Sequence, residues 1–533
     1  MKNRAYIYLP IWFALAVVTG IFIGAKLIPA IGGDSGIFSA APSRYDKIND
    51  VINYIENDYV DNVDKDSLTD KAISGMLQGL DPHSVYIPKS EFDDVNDPLQ
   101  GNFDGIGVQF RLIRDSITVI NTVPGGPSEK EGVMGGDRIV KIDNKTVCGI
   151  KIKDEDVMKK LKGKRGTEVT IGVYRKGNND LLSFKIVRGV IPTNSVDIAY
   201  MAAPGTGYIK LSKFSATTYE EVMNALMKLE SMGMQSLILD LRGNGGGYFD
   251  ASIKIADEFL EQGNLIVYTE GFHRKKKEYF ATKEGLFEKN KMVVLIDEWS
   301  ASASEIVAGA IQDNDRGLII GRRSFGKGLV QEQTPLADGS AIRLTVARYH
   351  TPSKRCIQKP YNKGIEEYYN DFYKRVLDDD AMDSLNFVDT VKYKTKNGRI
   401  VYGGGGIMPD IYVSMKSEDY SDYYKKIMSK GLIAQFGWEY ADKNRRMLRA
   451  YGSAKNFITL FSINQTIMDE FTVFAEKAGI KNDTPGQQQS DKLIRAQLKG
   501  AIGRNIFDDA AFYPVILPVD KIFQKALEAL GKR

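Results

Sequence analysis

Histidine and cysteine are scarce here: His83, His273, His350, Cys148 and Cys356 are all that 533 residues contain. Two cysteines cannot build a disulfide framework, and neither belongs to a C-x-x-C pair, so both are read as free, buried thiols. The scattered histidines offer no zinc-ligand spacing. Large charge of either sign is also missing: 72 basic and 68 acidic residues leave +4, which gives no reason to expect a nucleic-acid partner. What remains is an ordinary globular composition, 43% hydrophobic and 26% charged, in a chain long enough for several domains.

One stretch departs from that composition. After Lys2 and Arg4 no charge occurs from Ala5 to Ala25, 21 residues. That length suits a hydrocarbon core of about 30 Å better than a signal-peptide core of about 7–15 residues. The expectation is a transmembrane anchor within 1–30, its amino terminus held in the cytoplasm by Lys2 and Arg4. The rest of the chain then faces the periplasm or exterior of a cell envelope. Cleavage near Ser39–Ala41 is the alternative.

Residues 31–98 read as a linker followed by a helical region, with Ile48, Val51, Ile52 and Ile55 at helical spacing. It ends in LDPHSVYIP, where Asp81-Pro82 suggests turn capping and gives His83 a structural part. Residues 99–190 change to short strands (GIGVQF, SITVINTV, DRIVKI, EVTIGVYR, LLSFKIVR) with one helix, Asp154–Leu161. Residues 191–416 alternate apolar strands (TGYIKL, SLILDL, MVVLID, GLIIG) with helices, the pattern of a layered α/β core. An insertion falls at about 360–402, and the aromatics of its EEYYNDFY segment are read as surface packing. HRKKKEYF is read as a solvated hairpin. Residues 417–533 read as helices, including Tyr420–Leu432, Ala441–Tyr451, Ile458–Ala478 and Asp491–Arg504, without a chemical motif.

Three stretches offer chemistry. WSASASE, Trp299–Glu305, joins a buried strand to a helix. A serine there is either a helix N-cap or a nucleophile beside the free N–H groups of the helix start. GRRSFGKGLVQ, Gly321–Gln331, nearly matches G-x-x-x-x-G-K-[ST], but Gly328 stands where a magnesium-binding hydroxyl belongs. Lys327 can instead serve as a base if a dry pocket moves its pKa from about 10.4 toward 7. Gln331, four residues on, can orient the amine without fixing its charge. RGNGGGY, Arg242–Tyr248, fails the dinucleotide fingerprint because Tyr248 replaces the last glycine. It is either a tight turn or a loop that aims backbone N–H groups at an oxyanion.

With LDPHSVY, GIGVQF, DLRGNGGG, SASASEIVAGA and GKGLVQ in this order, the sequence resembles the carboxyl-terminal processing proteases, the tail-specific serine peptidases of the S41 type, from about Tyr45 to Val413. The resemblance implies a crotonase/ClpP-like layered peptidase core with an inserted β-rich PDZ domain at 99–190. It makes Ser302 the nucleophile, Lys327 the general base 25 residues further on, and Gln331 the residue that positions the lysine. The oxyanion hole would be the Ala303 N–H with Gly246, or next Gly245. Gly105, Ile106, Gly107 and Val108 match the PDZ carboxylate loop, and Val157 and Leu161 would flank its groove. The implied activity is cleavage of proteins near apolar C-termini, gated by the PDZ domain, with no metal, cofactor or ATP. A second copy of the chain or an accessory activator is a further partner the resemblance admits. A PDZ-bearing adaptor with a silent peptidase domain is the alternative. The family's YYTPSGRSIQ reads RYHTPSKRCIQ here, with His350 and Cys356 substituted.

Overall fold

The computed structural model describes residues 14–20, 47–377, 391–415 and 418–531. The chain divides into two units, 1–73 and 74–533. In the first, residues 14–20 and Lys47–Asp58 are helical, and a helix spanning Lys65–Gln78 begins there. Most of the uncharged run Ala5–Ala25, and the linker up to residue 46, lie outside the described residues. Among the described residues no helix is long and apolar enough to cross a membrane.

The second unit is built around a six-stranded sheet. Its strands run, in spatial order, Val196–Ala203, Thr206–Leu211, Ser236–Asp240, Lys291–Ile296, Leu318–Gly321 and Ile411–Tyr412. The first pair is antiparallel and every other pair is parallel. Every residue of Thr206–Leu211 and of Ser236–Asp240 is buried, as a sheet covered on both faces requires.

Period-two alternation assigns the two faces. Ile209, Leu211, Leu237, Leu239, Val294 and Ile296 pack with helices Thr218–Ser231, Phe249–Asp257 and Ala303–Asp313. Tyr208, Ile238, Val293, Leu295 and Ile320 meet Leu517, Ile522, Phe523, Ala526 and Leu530. The second layer is therefore supplied by the carboxyl-terminal helices Asp509–Ile516 and Lys521–Ala529. Phe523 is 3% exposed, and burying a side chain of this kind contributes about 1.5–3 kcal/mol.

The rest of that helical region has its own core around Phe436, Phe457, Phe471 and Ile502. The expected helix Ile458–Ala478 is two helices, Ala454–Leu460 and Gln465–Lys477, because the Asn464 side chain caps the second by accepting from the Ile467 N–H. Tyr420–Leu432 and Ala441–Tyr451 likewise break into Asp422–Ser429, Leu432–Lys443 and Arg445–Arg449.

A second sheet joins Val85–Ile87, Ala341–His350, Leu265–Gly271 and Arg274–Phe280, with Leu329–Pro335 also pairing to Ala341–His350. Arg274–Phe280 is the expected hairpin strand and is almost wholly exposed. The β-rich module carries a sheet in the order Val108–Ile113, Ser116–Thr122, Arg138–Ile142, Glu168–Tyr174, Leu182–Val187, and Asn102–Gly105 pairs with Gly189–Pro192. Cys148 and Cys356 are not bridged to each other, and both are half-buried rather than buried.

Candidate active site

Three loops leave neighbouring parallel strands at their carboxyl ends, where the crevices of open α/β sheets lie. They are residues 241–248 after Ser236–Asp240, 297–302 after Lys291–Ile296, and 322–328 after Leu318–Gly321.

The middle loop carries three serines, and the structure distinguishes them. Ser300 and Ser304 are fully buried, and their hydroxyls donate to the Leu241 and Asn244 carbonyls at 2.9 Å each. Ser302 is half-buried and sits immediately before helix Ala303–Asp313 with φ 55° and ψ −113°. That conformation is costly for a side chain bearing a Cβ, about 1–3 kcal/mol, and it holds Ser302 out of the helix.

Glu305, three residues on, is wholly buried. Its Oε2 accepts the Ser302 N–H at 2.8 Å and the Lys327 N–H at 2.9 Å. Its Oε1 accepts the Gly326 N–H at 2.7 Å and the Ser324 hydroxyl at 2.5 Å. Burial pushes this carboxyl up, and the four donors oppose the shift. A second buried group repeats the bridge: the Tyr349 hydroxyl donates to the Lys327 carbonyl at 2.6 Å and the Ser302 carbonyl at 3.1 Å. The serine and lysine segments thus share two side-chain partners.

The Lys327 amine donates to Gln331 Oε1 at 2.9 Å. The Gln331 amide donates to the His83 carbonyl at 2.5 Å. The turn that presents this carbonyl is capped by Asp81, which accepts the N–H groups of His83 and Ser84. Burial pushes the Lys327 amine below the ordinary lysine range, and the Arg343 guanidinium adds to this against Glu305 and Asp81. Burial, then Lys327, pushes the His83 imidazole down to about 4, so it is neutral at physiological pH. Lys327 precedes the strand Leu329–Pro335 that carries Gln331, and the ladder is irregular between Val330 and Gln331.

The glycine loop lies against the serine. A Cβ on Gly246, where φ is +96°, would come within 2.8 Å of the Ser302 Cβ and the Ala301 carbonyl. The Gly246 N–H donates to Asn244 Oδ1 at 2.9 Å. Among the described residues the N–H groups of Gly245 and Ala303 make no hydrogen bond. The loop's root is ionic. Arg242 chelates Asp240 and reaches Asp520 at 2.6 Å, from the cap of the last helix. Burial favours a protonated Asp240, but Arg242 and Lys210 outweigh it and hold the carboxyl far below its usual range.

Family profiles match the chain in four places. Peptidase family S41 covers residues 205–369, and a PDZ domain covers 105–186. The activating protease CtpB N-terminal domain covers 33–91, and a family of unknown function covers 423–508. The carboxy-terminal-processing protease of Bartonella bacilliformis is 36% identical over 349 residues, spanning 64% of this chain and 79% of that protein. The carboxy-terminal processing protease CtpB of Bacillus subtilis is 34% identical over 359 residues, spanning 65% and 73%. This chain belongs to the carboxy-terminal processing proteases. It is a serine peptidase of family S41 with a PDZ domain.

In this protease the residues expected to form the PDZ carboxylate loop lie between two strands. Gly105 ends Asn102–Gly105 and Val108 begins Val108–Ile113. Gly107 has φ +74°, a conformation that favours glycine. Val108–Ile113 is an edge strand of its sheet. Ile106, Val157 and Leu161 are 2%, 0% and 4% exposed and belong to one core cluster. The reason is local: the Gly163 N–H donates to the Asp104 carbonyl at 3.3 Å, and Arg188 donates to the Lys160 and Leu161 carbonyls. These bonds hold the end of helix Asp154–Leu161 close to its neighbours.

Sequence reasoning passed over Glu305, Tyr349, Asn244 and Arg242. Only Glu305 had left a signal, the Ser-x-x-Glu spacing of a capping box from Ser302.

Proposed function

We propose that this protease is a membrane-anchored endopeptidase that cleaves proteins near apolar C-termini through a Ser302/Lys327 dyad. The observation that carries the reading is the Glu305 carboxylate, which accepts from the Ser302 and Lys327 N–H groups and so joins the two segments. Ser302 Oγ attacks the scissile carbonyl carbon while Lys327 Nζ takes its proton, and Gln331 keeps the amine oriented. The tetrahedral oxyanion is met by the N–H groups of Ala303 and Gly245 rather than by that of Gly246, the first expectation, because the Gly246 N–H donates to Asn244 Oδ1. Collapse breaks the C–N bond, Lys327 protonates the leaving amine, and the C-terminal fragment departs. Water then attacks the acyl ester, gives a proton to Lys327, and Ser302 Oγ recovers it as the ester bond breaks.

The edge strand Val108–Ile113 suits addition of a substrate tail as a further strand, its carboxylate at Gly105–Val108. Occupation of this PDZ site gates cleavage. The uncharged run Ala5–Ala25 anchors the chain in the cytoplasmic membrane, with the catalytic part in the periplasm or exterior.

The test is cleavage of an unstructured protein ending in apolar residues, compared with the same protein ending in aspartates. Wild type cuts the first in preference, and Ser302→Ala and Lys327→Ala cut neither. Equal cleavage by all three proteins removes the dyad. Tail binding without cleavage by wild type supports the adaptor reading.

A further inference from the structure

The insertion at about 360–402 begins with helix Ile365–Leu377. Among the residues of this helix whose burial is described, Tyr368, Phe372 and Arg375 are buried, at 2%, 3% and 5% exposure. They are spaced i, i+4, i+7, one face of a helix. Two belong to the aromatic segment read from sequence as surface packing. Each touches a different part of the site.

Tyr368 reaches the support of the lysine. Its hydroxyl is 2.9 Å from His83 Nε2, and the His83 carbonyl is the group that holds Gln331. Phe372 packs on the serine side, its ring edge-on to Trp299 with centroids 4.8 Å apart, and also meets Phe325 at 5.2 Å. Arg375 donates to the Ser324 carbonyl at 3.0 Å and the Phe325 carbonyl at 3.1 Å. The next two N–H groups, of Gly326 and Lys327, go to Glu305. One short segment is thus gripped by an arginine through its carbonyls and by a glutamate through its amides. A buried guanidinium satisfying two carbonyls fixes their direction in a way that a flexible ammonium does not.

We propose that this helix face is a positioning element of the Ser302/Lys327 site, acting through Arg375 on the lysine loop and through Tyr368 on the support of Gln331. The inference rests on the dyad reading above. None of the three side chains is assigned a bond to substrate. Their effect is to keep Lys327 at the place from which it takes the serine proton, so they act on turnover rather than on tail binding. A protease of this kind without the insertion must hold the same loop by other contacts.

The experiment uses the full chain and four variants: Arg375→Met, Arg375→Lys, Tyr368→Phe and the exposed control Lys374→Gln. Turnover and KM are measured on the apolar-tailed substrate against pH. The rate of Ser302 labelling by a fluorophosphonate is measured in parallel, with thermal midpoints for each protein. Arg375→Met is expected to lose about 10-fold or more in kcat with KM within about twofold, since small misplacement of a reacting group is costly. Arg375→Lys recovers part of the loss. Tyr368→Phe lowers kcat several-fold and moves the acidic limb of the profile, which reports the free amine of Lys327. Lys374→Gln matches wild type. If Arg375→Met lowers the midpoint below the assay temperature, Tyr368→Phe decides alone. Wild-type kcat and an unmoved acidic limb in Tyr368→Phe, or in a folded Arg375→Met, overturn the proposal. In that case labelling proceeds equally in wild type and variants, whereas absence of labelling in wild type itself would instead remove the dyad.

Discussion

The Lys327 amine rests 2.9 Å from the Gln331 side-chain oxygen, a neutral acceptor whose amide nitrogen is held in turn by the His83 carbonyl. The choice matters because burial favours the uncharged amine, the form that accepts a proton. A glutamate at the same place would favour the ammonium. Gln331→Glu is therefore expected to move the acidic limb of kcat upward by about 1–3 pH units, as an adjacent opposite charge does. In wild type the limb lies below the ordinary lysine range, with activity rising as pH rises through it. A superimposable profile for the variant would remove Lys327 as the base.

Gly246→Ala asks how closely the glycine loop must approach the serine. The added Cβ meets Ser302 and Ala301 at 2.8 Å, and φ is +96°. Either the loop or Ser302 shifts. The expected outcome is loss of turnover by about 10²-fold, read in single-turnover acylation, with the tail affinity of the PDZ domain unchanged.

Glu305→Gln keeps the shape of the bridge and removes half of its accepting capacity. An amide offers one oxygen to four donors that the carboxylate meets with two. Each donor left without a partner in this buried place costs about 1–3 kcal/mol. Chemical denaturation should show the loss, and proteolytic activity should fall with it.

Asp240→Asn tests the ionic root of the glycine loop. Removing one partner of a buried ion pair costs about 3–5 kcal/mol. The wild-type contribution has a definite pH sense. Asp240 has a depressed pKa in the folded chain, so its stabilisation is complete above the ordinary carboxylate pKa and is lost as pH falls through the folded value. Unfolding curves of wild type and Asp240→Asn should converge as the solution is acidified.

The strands and helices that build the parallel core were legible because burial on both faces leaves long apolar runs, as in SLILDL and MVVLID. The segments of Ser302, Lys327 and Gln331 stood out through the family motifs they carry, and the structure brings these segments together. Tyr349 and Arg375 were not legible, because what they do depends on carbonyls 47 and 51 residues away in the chain. Val157 was placed on the right helix, but its membership of the module's core was not legible, since burial in a groove wall and burial in a core leave the same apolar letter. The helices from Asp509 to Ala529 fell within the region read as helical, but their packing partner was missed for a related reason. Their apolar face answers to the far side of the sheet, and nothing local announces that partner.

The backbone at Ser302 carries one more consequence. At φ 55° and ψ −113° the position suits a residue with no side chain, yet it carries the hydroxyl. Ser302→Gly should therefore abolish proteolysis and raise the thermal midpoint. A descendant of this protein released from proteolytic duty would have a downhill path at that codon, gaining robustness in the step that ends its chemistry.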